Sequence, residues 1–226
     1  MLYVLLAVVL IALIAGPQLW ARRVLDTYNR DEYFSGTGKE LAAILITDLK
    51  LAAVTVEDTD KGDHYDPFSK TVRLNPQTTG KRSLTAVVVA AHEVGHAMQD
   101  ARGDGLLAQR TRLVEIGVWC ERIGMAILMA APVVGALMHL PVLNRVYLFS
   151  AAAVMVIPVV VHLVTLPVEF DASFNKALPV LLAGRYIPPD DEAAARRILT
   201  ACALTYVAVA LASIFNLWRW LRVFRR

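Results

Sequence analysis

The segment AVVVAAHEVGHAMQD, residues 86–100, packs His92, Glu93 and His96 into little more than one helical turn among alanines and valines. Residues four apart share a helix face, so the two imidazoles can grip a single metal ion. Zinc takes such nitrogens at about 2.0–2.1 Å. Glu93 follows His92 directly and lies beside the metal, where a carboxylate can accept a proton from a water that the metal acidifies from a pKa of about 15.7 toward about 7. The pattern is HExxH, whose usual outcome is metal-assisted peptide hydrolysis. The small and apolar neighbours Ala90, Ala91, Val94 and Ala97 keep such a site dry, which strengthens every charge inside it. Gly95 is expected to leave room beside the metal.

Two ligands do not complete a catalytic zinc site, which takes three protein ligands and an open position. The metzincin continuation needs a glycine three positions and a histidine six positions after His96. Gln99 and Arg102 stand there, so that class is excluded. The remaining candidates are His64, Glu115, His139, His162, Glu169 and Asp171. His162 and Glu169 are seven apart, about 10 Å along a continuous helix, which is too far for shared ligation.

The elements that must position these groups read as unusually apolar. Of the 226 residues, 57% are apolar, with a mean hydropathy of +0.50. A soluble domain has about 45–50%. Four stretches approach the roughly 20 apolar residues that span a bilayer: Met1–Trp20, Ile116–Leu140, Val146–Leu166 and Ile198–Trp218. Tryptophans 20, 119, 218 and 220 stand near their ends, where amphipathic rings favour the interface. The first stretch has no basic residue ahead of its apolar run and reads as a retained anchor. Two crossings between His96 and Glu169 would return the chain to the same face of the membrane. A net charge of +3 without a block of like charges is too small to imply a nucleic-acid partner, and none is expected. Cys120 and Cys202 form no disulfide framework.

Between the first two stretches, Thr37 and Glu40 are spaced as a capping box that starts a helix. AAVTVED and TVRLN alternate as short strands. Asn75-Pro76 ends the second of them, and Ser83 caps a helix from Leu84 to about Ala101. The polar region therefore reads helix, strand, strand, helix. DHYDP, ahead of the second strand, is either a turn whose aspartates cap local backbone or part of a strand that holds substrate by edge pairing. In the second case His64 or Tyr65 could donate to the oxyanion. Pro167 suits the first turn of a new helix that carries Glu169, and Pro179 should shorten or kink it.

Four stretches in order, DHYDP, AAHEVGHAMQD, LPVEFDAS and ALTYVAVAL, resemble the YugP-type membrane zinc metallopeptidases over nearly the whole chain. The resemblance implies an integral-membrane peptidase with one zinc ion. His92 and His96 would be ligands, Glu93 the catalytic base, and Glu169 the third ligand in the manner of gluzincins. Gluzincins often carry a further carboxylate four positions after that glutamate. Ser173 stands there instead, and Asp171 is the nearest carboxylate to support the site.

The expectation is a mainly α membrane protein with about four transmembrane helices and a small α+β zincin-like catalytic part. Its regions are an anchor over 1–20, the catalytic region over 21–112, a transmembrane hairpin over 113–166, the third-ligand helix and loop over 167–197, and a last span with a basic tail over 198–226. The expected catalytic residues are Glu93 and His64, the metal ligands His92, His96 and Glu169, and the supporting residue Asp171. The lipid bilayer and a peptide or membrane-associated protein are the expected partners. The distribution of arginines favours a cytoplasmic catalytic side. Two rival functions are a site-2-type intramembrane protease and a non-catalytic scaffold held by zinc.

Overall fold

A computed structural model describes residues 2–30, 34–138 and 141–205, without the side chains of 2–11, 13–14, 128, 131–138, 141–149, 151–155 and 158. The elements run α1 (Leu2–Thr27), α2 (Gly38–Asp48), β1 (Thr55–Asp58), β2 (His64–Asp66), β3 (Thr71–Leu74), α3 (Pro76–Thr79), α4 (Leu84–Ala101), α5 (Gly105–Met138) and α6 (Pro141–Phe170). A π-helical segment, Asp171–Ala177, then leads into α7 (Leu178–Ala183). A further helix, α8, covers 192–205.

Local chemistry sets the boundaries around the HExxH helix. Thr37 and Glu40 form the reciprocal capping box at the start of α2. The Asn75 side chain accepts from the Gln77 and Thr78 N–H groups and ends β3. Ser83 Oγ accepts from the Ala86 N–H at the start of α4, satisfying one of the orphan donors of the first turn. Gly103, at φ +67, takes the left-handed conformation just past its end. α1 docks against this start: Thr85 Oγ1 donates to the Leu25 carbonyl at 2.8 Å, and Ser83 Oγ donates to Asn29 at 2.7 Å.

α4 is buried from Leu84 through Gln99. α2, the sheet, the π segment and α7 surround it. Val72 and Leu74 of β3 and Leu41 and Leu45 of α2 fill its flanks, and Leu181, Ile198 and Leu199 join the same core. Each such aliphatic side chain contributes roughly 1.5–3 kcal/mol on burial. The helix is apolar along its length because protein encloses it on every side.

The sheet has one strand more than the sequence pattern indicates. His64–Asp66 of DHYDP is strand β2, too short for its alternation to register, and it pairs antiparallel with β3, His64 opposite Arg73 and Tyr65 opposite Val72. β1 pairs parallel with β3, so the order is β1-β3-β2. β2 is therefore an edge strand.

The four-span membrane fold is corrected. Among the described residues no helix is long and apolar enough to cross a membrane, and the protein is mostly helical with a small three-stranded sheet. On α5 the apolar pattern is interrupted by Arg110, Arg112, Glu115, Glu121 and Arg122, each costly in hydrocarbon. α5 and α6 nevertheless form a packed hairpin. A Cβ on Gly117 would touch Ile157 and Val161. Most of the first expected span, and the fourth beyond residue 205, fall outside the described residues and side chains.

Pro167 does not begin a new helix. α6 runs unbroken through it to Phe170, so Glu169 stands on the returning arm of the hairpin. The irregularity comes next, in the π segment, where the Leu178 N–H reaches the Ser173 carbonyl. Pro179, which has no N–H to continue the ladder, lies in the first turn of the six-residue α7.

Candidate metal centre

α4 supplies both histidines and α6 the third group. Glu169 Oε2 lies 3.2 Å from His92 Nε2 and 3.3 Å from His96 Nε2. One candidate ligand atom from each residue lies within 4.8 Å of the others, and all three residues are buried. Two ligands about 2.0–2.1 Å from a tetrahedral centre are separated by about 3.3 Å, so these spacings suit the edges of a zinc tetrahedron.

The other ring nitrogens fix the tautomers. Gln99 Nε2 donates to the Val168 carbonyl at 3.0 Å and to Asp171 Oδ2 at 2.8 Å. Its Oε1 must then face His96 Nδ1, 2.9 Å away. An amide oxygen only accepts, so Nδ1 carries the proton and Nε2 of the neutral ring is left with a lone pair. His92 Nδ1 meets Ser173 Oγ at 3.1 Å, an arrangement in which the hydroxyl can accept and free Nε2 in the same way. Lone pairs and a carboxylate oxygen cannot face one another at this range without positive charge among them. Glu169 Oε1 is also buried with no hydrogen-bond partner. A divalent cation satisfies these acceptors together, so the residues fit a zinc site.

Gly95 makes this convergence possible, though not by leaving room for the metal. A Cβ there would stand 2.6 Å from the Ala172 carbonyl oxygen. The glycine lets the backbone after Glu169 press directly on α4.

The electrostatics follow from burial. Burial pushes the Glu93 carboxyl up to about 7, against the nearby His92 and with the charge of Glu169. Burial also works to raise Glu169, but with a proton rather than a metal on each Nε2 the His96 charge and the hydrogen bonds from both imidazoles overcome it and hold that carboxyl well below the usual range; a divalent cation would supply the same positive charge to neutral rings. Glu93, His92, His96 and Glu169 line one cavity of about 180 Å³.

Asp171 is not in the cluster. It accepts from Gln99, Asn175 and Lys176, so it reaches His96 only through Gln99. His64 lines the cavity, with Nδ1 2.8 Å from the Gly62 carbonyl. The Tyr65 hydroxyl is committed, donating to Asp100 Oδ2 at 2.6 Å. Glu115 is exposed on α5 and His162 half-buried on α6, both outside the cluster. His139 lies outside the described residues. Sequence reasoning missed Gln99, Ser173 and Arg110. Gln99 had a signal, since it is three positions from His96 and shares its helix face. Ser173 had one too, standing four positions after Glu169 where a supporting group is expected; Arg110 had none, because its proximity comes from another element.

A family model described as "putative neutral zinc metallopeptidase" matches residues 3–225. The chain is 33% identical to the "putative membrane protease YugP" of Bacillus subtilis (strain 168), over 99% of this chain and 97% of that protein. No solved structure matches it. The match along almost all its length and the 33% identity show that the chain belongs to the family described as "putative neutral zinc metallopeptidase", a description that the buried acceptors converging from two helices suit.

Proposed function

We propose that the protein is a zinc-dependent peptidase that hydrolyses peptide bonds in the cavity walled by α4, α6 and β2. The observation that carries this reading is the meeting of His92, His96 and Glu169 with the buried, protonatable Glu93 in the same cavity. His92 Nε2, His96 Nε2 and the Glu169 carboxylate would hold one zinc ion. Zinc there supplies a Lewis acid that acidifies water and polarises a peptide carbonyl.

This chain's own residues supply the remaining steps. The Glu93 carboxylate accepts a proton from the attacking water. It then passes that proton to the leaving amine. Substrate backbone adds to the β2 edge by main-chain hydrogen bonds. His64, on that strand, gives its Nδ1–H to the Gly62 carbonyl, so it is as the imidazolium that it donates Nε2–H to the developing oxyanion. The apolar wall of α4 limits water in the cavity.

One panel tests these roles: metal content and peptide turnover of the wild type, E93Q, H64F, E169A and D171A. E93Q should lose at least about a hundredfold in turnover and keep its zinc. H64F should lose turnover and keep zinc. E169A should lose zinc and D171A should retain most of it. A protein in which zinc only holds the fold would show E93Q indistinguishable from the wild type.

We also infer that the protein associates with membranes. The B. subtilis relative is named a membrane protease, and α5 exposes Ile116, Trp119, Ile123 and Met129. Such a run of exposed apolar side chains marks an interaction surface. Flotation with lipid vesicles tests the inference; protein that stays at the bottom of the gradient refutes it.

A further inference from the structure

Arg110 lies in the first turns of α5 and lines the same cavity as His92, Glu93, His96 and Glu169. Its Nε is buried without a hydrogen-bond partner. Among the described residues no carboxylate comes within ion-pair distance of it. Glu93, on the same cavity, feels the charge of Arg110 without forming an ion pair with it, and the other acidic groups there are engaged elsewhere. Asp63, on the same cavity, accepts from the Asn75 backbone N–H at 2.8 Å and from the Asn75 side chain. Glu169 faces the two imidazoles.

A guanidinium cannot shed its proton, and it presents donors in a planar fork that matches a carboxylate. A half-buried, unpaired one at a cavity wall bears a desolvation cost that an anionic ligand would offset. Peptides carry two such anions near a scissile bond: the C-terminal carboxylate and the side chain of Asp or Glu. The cavity is small beside the roughly 300–1,000 Å³ of sites for drug-sized ligands. A carboxylate that reaches Arg110 must therefore belong to a residue next to the bond being cut.

We propose that Arg110 is a specificity residue that binds a substrate carboxylate adjacent to the scissile bond. The inference rests on the peptidase reading above, and the two are separable by experiment. Four peptides of one sequence are compared: C-terminal acid against amide, and Glu against Gln beside the cleaved bond. Binding to the E93Q protein is read by fluorescence anisotropy at low and high salt, and turnover is read with the zinc-loaded wild type, R110Q and R110K.

The wild type should prefer a carboxylate peptide over its neutral match by at least about tenfold in KM. Which pair shows the preference tells the terminal carboxylate from the side chain. R110Q should abolish the preference by raising KM with little change in kcat, and R110K should restore part of it as a point charge without the fork. E93Q should bind the favoured peptide more weakly at high salt. Equal binding of all four peptides by E93Q, or a preference that survives in R110Q, overturns the proposal. If R110Q does not fold, R110K and the matched peptides on the wild type decide. Failure of the peptidase reading looks different: no peptide is cut by any variant, while the binding comparison in E93Q still reports on Arg110.

Discussion

At the residue scale, the centre depends on groups that touch no metal. Gln99 can serve His96 only because Val168 and Asp171 take its amide hydrogens and fix which way it points. Asp171 is itself held by Lys176 and Asn175. The chain from Lys176 to His96 thus sets the tautomer that leaves Nε2 open. Ser173 takes the position where a carboxylate would polarise the His92 ring, and a hydroxyl supports it less strongly. Supports of this kind typically change metal affinity by about 10–100-fold. Q99A should therefore weaken zinc binding by about tenfold or more in competition with a chromogenic chelator, and S173A should weaken it less. Unchanged zinc affinity in Q99A would remove the amide from this account.

At the element scale, the decisive contact is the crossing of α4 with the π segment. The wider turn of Asp171–Ala177 follows immediately after Glu169 and carries Ser173 back onto His92. π turns are uncommon and recur at functional sites because they re-aim side chains. Gly95 permits the approach, since an added Cβ would collide with the Ala172 backbone, which cannot rotate away as a side chain can. G95A should destabilise the fold by about 1–3 kcal/mol through overpacking and also lower zinc affinity, because Glu169 is displaced from both imidazoles. Thermal melting and zinc titration of the same sample test this. A variant with normal stability and normal zinc affinity would mean that the two helices can part without cost.

At the scale of the whole molecule, a bound cation would join α4 to α6, elements linked in sequence only through the long α5–α6 hairpin. A ligand held by the folded state alone adds RT ln(1 + [L]/Kd) to stability, about 2.7 kcal/mol at 100 times Kd. Chelation should therefore lower the Tm of the wild type. It should leave E169A, already without its third ligand, almost unmoved. Calorimetry with and without EDTA checks this, and a wild-type Tm that ignores chelation would separate the site from the fold's stability.

The HExxH spacing, the capping box at Thr37, the caps at Asn75 and Ser83 and the extent of α4 were legible in the sequence, because each is set by contacts within a few residues. Strand β2 stayed open between a turn and a strand, since three residues carry too little alternation to decide. The four-span reading is overturned on the described residues, because hydropathy averaged over a stretch passes over single charges such as Glu121 and Arg122, which α5 carries within its apolar run. Only the tertiary structure decided that Glu169 meets the two imidazoles, that Gln99 and Ser173 orient them, and that Arg110 enters their cavity. Those neighbours come from distant parts of the chain, and their meeting depends on how closely two helix backbones approach.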